Sequence, residues 1–161
     1  MKSLFIIPLV LMSLVSFSSW GLSMDDLVLR AGLYYEKFTA TPFTGEVDEG
    51  LDRGSIKNGK REGSWALYWD NGQLWKKGDY KNGKEEGYWV DYRDDGQLLY
   101  RGNSKNGKFD GYSEWYYSDK GLNQLSMKGT FKNGKEEGSW VGYYPNGQLS
   151  RKGDYKNGQK E

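Results

Sequence analysis

From residue 54 to the end of the chain, short stretches that mix large aromatic residues with polar ones are punctuated at regular intervals by Asn-Gly or Asp-Gly pairs. Asn and Gly adopt positive φ at little cost, and two such residues in succession satisfy a type I′ turn, whose twist matches paired strands. One series of pairs comprises Asn71-Gly72, Asp95-Gly96 and Asn146-Gly147; the other comprises Asn82-Gly83, Asn106-Gly107, Asn133-Gly134 and Asn157-Gly158. Both series are read as hairpin turns. Two turns per unit leave two strands per unit, so the pattern predicts an antiparallel meander.

The units are internal repeats. GSWALYWDNGQLWKKGDYKNGKEE at 63–86 is followed by GYWVDYRDDGQLLYRGNSKNGKFD at 87–110, and GSWVGYYPNGQLSRKGDYKNGQKE closes the chain at 138–161. The copy at 111–137 is longer by three residues, placed around Lys120 to Asn123, and a partial copy, GSIKNGKRE, occupies 54–62. A fixed period of this kind signals stacked units that cannot bury their apolar surface alone. At ~4.8 Å per strand, each repeat lengthens the sheet by about 10 Å. The expected fold is therefore all-β: an elongated single-layer antiparallel meander of β-hairpin repeats, capped at its N-terminal end by residues 22–53. Within that cap, Leu27-Val28-Leu29 and Leu33-Tyr34-Tyr35 read as strands.

The first 21 residues have a different character. Lys2 precedes a nearly continuous apolar run from Leu4 to Val15, and small residues follow at Ser18, Ser19, Gly21 and Ser23. This is the pattern of an export signal cleaved after Gly21, giving a periplasmic or secreted product. The run is shorter than the roughly 20 residues a membrane-spanning helix needs; an uncleaved inner-membrane anchor is the alternative.

Composition narrows the chemistry. The 161-residue chain contains neither cysteine nor histidine, which removes disulfides, thiolate nucleophiles, Ser-His systems and His-ligated zinc. Its formal charge of +1 gives no bulk attraction for nucleic acid, and loss of Lys2 with the leader makes the mature chain formally neutral. Aromatics make up 16% of the residues and glycine supplies 23 of them, as expected for turns linking ring-bearing strands. No cofactor, metal site or catalytic residue is expected. Recurrent acidic segments such as Lys84-Glu85-Glu86-Gly87 read as solvated cross-strand salt pairs, and Asp94 and Asp95 as turn residues.

The unit YYPNGQLSRKGDYKNGQKE and its siblings resemble the variant MORN repeat common in bacterial proteins, and GLYYEKFTATPFTGEV at 32–47 is similar to the segment that often precedes those repeats. The resemblance implies a ribbon that binds partners and has no catalysis. Many bacterial proteins of this kind are labelled antitoxin- or immunity-like, so such a role is one implication. One copy departs from the pattern: Ser113 stands where the others have Trp65, Trp89 and Trp140.

Comparison among copies suggests which face does what. The sixth position is always tyrosine (Tyr68, Tyr92, Tyr116, Tyr143), with Ala66, Val90, Glu114 or Val141 on the same side two residues earlier. That constancy suggests stacking. Positions five and seven of the opposite side vary, and Trp69, Arg93, Trp115, Tyr117 and Tyr144 are the candidate anchors for a partner, because Trp, Tyr and Arg dominate interface energetics. A bulge at Gly63, Gly87 or Gly138 would exchange the two sides. The expected partner is another protein; a peptidoglycan-type wall glycan and lipid head groups are the alternatives.

Overall fold

The structure, a computed structural model, describes residues 21–119 and 121–161. The apolar leader expected as an export signal lies outside the described residues. A 3₁₀ turn at Met24–Asp26 leads into β1 (Leu27–Arg30) and β2 (Leu33–Glu36), which pair as a separate hairpin. The remaining strands are β3 (Gly45–Val47), β4 (Asp52–Lys57), β5 (Lys60–Tyr68), β6 (Leu74–Lys81), β7 (Lys84–Tyr92) and β8 (Leu98–Lys105), followed by β9 (Lys108–Tyr116), β10 (Leu125–Lys132), β11 (Lys135–Tyr143), β12 (Leu149–Lys156) and β13 (Gln159–Lys160). These eleven form one open antiparallel sheet in strict chain order, the meander that the turn spacing predicts.

The two series of turns differ in kind. At the Asn82-Gly83 tip both residues have positive φ (52° and 77°), and Lys81 pairs with Lys84 across a two-residue type I′ turn. At Asn71-Gly72 only the glycine is left-handed. That loop is longer, closed by Trp69 N–H donating to the Gln73 carbonyl and Gly72 N–H donating to the Trp69 carbonyl, both at 2.8 Å. Asn71 contributes its side chain instead, its Oδ1 accepting from Gln73 N–H at 2.9 Å. The expectation of type I′ turns in both series is thus corrected for this one. Asparagine and aspartate serve equally here because the requirement is an acceptor, and Asp95 repeats the bond to Gln97 N–H at 3.0 Å.

Each nine-residue strand is bent where its repeat begins. Gly87 has φ of 74°, a conformation that a side chain resists, and the residues Gly87, Tyr88 and Trp89 of β7 together face the single residue Gly78 of β6. The bend folds Trp89 back over Gly78 so closely that a Cβ there would lie 2.2 Å from the indole. Trp65 lies over Gly54 and Trp140 over Gly129 in the same way. These indoles are 2%, 0% and 4% exposed for Trp65, Trp89 and Trp140, so a single-layer sheet acquires a true core on one face. Trp65 and Trp140 also donate their ring N–H to carbonyls of the preceding strand, at Ser55 and Thr130.

The type I′ tips form a second ladder. Gly83, Gly107, Gly134 and Gly158 each donate N–H to a carbonyl of the preceding tip, those of Arg61, Glu85, Phe109 and Glu136. Beside them Glu62, Glu86, Asp110 and Glu137 accept the backbone N–H of Asn82, Asn106, Asn133 and Asn157 at 2.7–3.0 Å. The second acid of each tip, expected to be a solvated salt pair, is therefore corrected to an inter-repeat cap for the outward N–H of the type I′ turn, whereas Glu85 does form a cross-strand pair, 2.8 Å from Lys76 Nζ.

The N-terminal cap completes both ladders. Gly59 N–H donates to the Phe43 carbonyl at 2.7 Å, and Asn58 N–H donates to Thr44 Oγ1 at 2.8 Å, so Phe43-Thr44 takes the place that Arg61-Glu62 or Phe109-Asp110 has in a repeat, with a hydroxyl for the acid. Leu27, Val47, Ile56, Trp65 and Leu67 bury their side chains together, with Tyr34, Phe43 and Tyr80 packed around them. Among the described residues no helix is long and apolar enough to cross a membrane.

Candidate binding face

One face of the sheet is filled by the tryptophans and their neighbours. Tyr80 lies edge-on to both Trp65 and Trp89, and farther along the ribbon Tyr100, Phe109, Trp115, Phe131 and Trp140 form a continuous chain of rings with centroids 4.9–6.1 Å apart. The tyrosine row lies on the other face, which carries a groove of about 960 Å³ over β3 to β8. Ala66, Val90 and Leu98 form its apolar floor, and Tyr88 and Tyr92 stand along it.

Strand pairing generates the groove's charge pattern. Arg53 sits opposite Ala66, Lys77 opposite Val90, Arg101 opposite Glu114, Lys128 opposite Val141, and Lys152 opposite Val141 on its other side. Every even-numbered strand from β4 to β12 thus places a cation in one line across the sheet, two strands or about 10 Å from the next. Arg53 lies over the Tyr68 ring at 5.0 Å and Lys128 over Tyr143 at 5.9 Å, so the tyrosine row borders the cationic line.

Glu114 interrupts the otherwise apolar positions of that line. Its carboxylate accepts from Arg101 Nε, from the Tyr112 hydroxyl at 2.9 Å and from the Tyr116 hydroxyl at 3.1 Å. Burial alone would raise its pKa, but the hydrogen bonds from Arg101, Tyr112 and Tyr116 outweigh burial and hold it below the ordinary carboxylate value. The Tyr112 phenol is pushed up to about 12, by burial first and then by its bond to Glu114. This is a carboxylate receptor made of one cation and two hydroxyls, closed by the chain's own acid.

The five anchors expected from the sequence lie on the packed side, and four are tied into the repeats. Trp69 Nε1 donates to the Tyr92 carbonyl at 3.2 Å and its ring packs on Trp75. Arg93 is 6% exposed, paired with Asp95 and donating to the carbonyls of Tyr117 and Asp119 at 3.2 and 2.6 Å. The Tyr117 hydroxyl donates to the Tyr143 carbonyl at 2.6 Å. Position seven is thus a latch from each repeat to the next, and its residue type varies because many donors reach a carbonyl. Trp115 belongs to the ring chain. Tyr144 alone is exposed, at 52%. The assignment of stacking to the tyrosine side is likewise corrected: the glycine bulges direct the tryptophans inward and leave the tyrosines facing the groove.

Sequence reasoning passed over Lys77, Tyr88, Arg101 and Tyr112. The available signal was the basic residue at the fifteenth position of each 24-residue repeat, the eighteenth (Lys128) in the longer copy, together with Glu114 standing where other copies have Ala66, Val90 and Val141.

Fold and face together define an open β-hairpin repeat ribbon with a binding role, one side packed and the other grooved. The family model described as MORN repeat variant matches residues 61–82 and 136–157. Each match runs from an inner strand to the asparagine of the next tip and includes the buried tryptophan, Trp65 or Trp140, and the longer loop; the first also includes Gly78, which Trp89 covers. A search of curated proteins finds no match to the chain.

Proposed function

We propose that this chain is a non-enzymatic, exported protein that receives a segment of a partner protein in its tyrosine-lined groove. The supporting observation is the division of labour between faces: repeat-to-repeat stacking consumes the tryptophan side and leaves a concave apolar floor bordered by tyrosines and cations. Sites that mix apolar area with a few convergent polar groups suit recognition, and rigid tyrosines supply contact area at modest entropic cost. An antitoxin- or immunity-like role is one in which a small protein masks a partner through such a surface.

Capture from envelope extracts tests the reading. Wild type and Tyr144→Ala retain the same partner, whereas Ala66→Trp, which fills the groove floor, loses it while keeping the wild-type circular dichroism. Equal capture by wild type and Ala66→Trp overturns the proposal. Sedimentation with purified peptidoglycan or anionic vesicles in place of protein capture replaces the partner class.

A further inference from the structure

The repeats carry the Glu114 receptor twice. Lys77, Tyr88 and Tyr92 occupy the positions in one repeat step that Arg101, Tyr112 and Tyr116 occupy in the next, and Val90 stands where Glu114 stands. All four residues line the groove. The same strand pairing that brings Arg101 opposite Glu114 brings Lys77 opposite Val90, so one cation and two phenols surround a valine in place of an acid.

The groove's own acids are engaged elsewhere. Asp79 accepts from the Ser64 hydroxyl at 2.6 Å, Glu46 accepts from the Ser55 hydroxyl at 2.7 Å, and Asp48 accepts from Leu22 N–H at 3.1 Å. Lys77 has no ion pair among the described residues, and Tyr88 is 52% exposed. A methyl-lined spot ringed by a cation and two hydroxyls complements a carboxylate on a short aliphatic stem, and the fold already demonstrates that complement at Glu114.

We infer that Lys77, Tyr88 and Tyr92 receive the carboxylate of an aspartate or glutamate from the protein segment bound in the groove, reproducing in trans the grip on Glu114. The inference rests on the groove being the partner surface. Arg101 already holds Glu114 through its Nε, whereas Lys77 forms no ion pair among the described residues and is open to an incoming acid. The ammonium donates only, so it selects an acceptor, and each phenol can give that acceptor one further hydrogen.

Two experiments on the full mature chain test it. A synthetic twelve-residue peptide of alternating leucine and glutamate, titrated by calorimetry, binds at least about tenfold more tightly than its leucine-glutamine counterpart. Lys77→Gln, a change at an exposed residue, removes most of that preference and leaves the glutamine peptide unaffected. Separately, Val90→Glu installs an internal acid: it keeps a thermal midpoint within about 3 °C of wild type and abolishes binding of the glutamate peptide, whereas Val90→Glu with Lys77→Ala falls by roughly 5 °C or more. Equal binding of the two peptides overturns the carboxylate site while leaving the groove as a partner surface. Failure of the glutamate peptide to bind, or equal destabilisation of Val90→Glu with and without Lys77, also overturns it; the capture experiment with Ala66→Trp then judges the groove independently.

Discussion

The joint between β6 and β7 and the joint between β8 and β9 solve one packing problem in two ways. In the first, Trp89 covers Gly78 and fills the space behind it. In the second, Ser113 stands in the tryptophan's place over Gly102, and Tyr100 turns in from the preceding strand, its hydroxyl 3.4 Å from Ser113 Oγ. A Cβ on Gly102 would meet Ser113 Oγ and the Tyr100 hydroxyl, both at 2.3 Å. Tyr100 is itself buried, at a position where the other repeats carry Lys76, Met127 or Arg151. The difference teaches that the conserved quantity is the volume over the glycine, whichever strand supplies it.

The largest expected effect breaks the first joint. Gly78→Ala drives a methyl into the Trp89 indole, and urea denaturation should show a loss of about 3 kcal/mol or more. Gly102→Ala meets Ser113 Oγ, which can change rotamer, and the end of the Tyr100 side chain rather than the body of an indole, so about 1–2 kcal/mol is expected. Equal losses would show that the two joints are packed with the same rigidity.

The latches differ along the chain as well. Arg93→Met removes the donor from the carbonyls of Tyr117 and Asp119 and unlatches the two repeats, for an expected loss of about 2–3 kcal/mol in the same measurement. Tyr144→Phe, at the exposed member of the series, should change stability by less than about 0.5 kcal/mol.

Exchange of the filling residue sharpens the comparison further. Ser113→Trp alone crowds Tyr100 and should cost about 1–3 kcal/mol, whereas Ser113→Trp with Tyr100→Lys restores the arrangement of the first joint and should return to within about 1 kcal/mol of wild type. Additivity of the two changes would refute mutual compensation.

The smallest effect is electrostatic and separates the Glu114 receptor from its valine-bearing counterpart. The Tyr112 phenol has its pKa raised to about 12 in the folded chain, so its contribution to stability is complete below the ordinary tyrosine value near 10 and is lost as pH rises through about 12. Denaturation midpoints measured across that window should fall more steeply for wild type than for Glu114→Val, which leaves Tyr112 without its acid.

Much of this architecture was legible in the residues. Asn-Gly spacing placed the type I′ tips, and the constancy of Tyr68, Tyr92, Tyr116 and Tyr143 marked them as a row on one side. The loops at Asn71 and Asp95 were misread because the dipeptide that supplies two left-handed residues also supplies an Asx acceptor beside one; only backbone angles separate the two uses. Arg93 and Trp69 resembled interface anchors because a donor that latches a neighbouring repeat has the same chemistry as one that grips a partner.

By itself, then, the sequence determined two strands per repeat, their order and their antiparallel pairing, since those follow from local turn chemistry and a fixed period; the strand Gly45–Val47 that opens the sheet has no such turn signal. Which face became core and which became groove was decided only in three dimensions. Alternation along a strand separates two sides without ranking them, and in a single-layer sheet both sides carry rings. The choice was made by contacts between repeats: a bend at Gly87, a side-chain-free Gly78 on the strand before it, and an indole able to lie in the space between them.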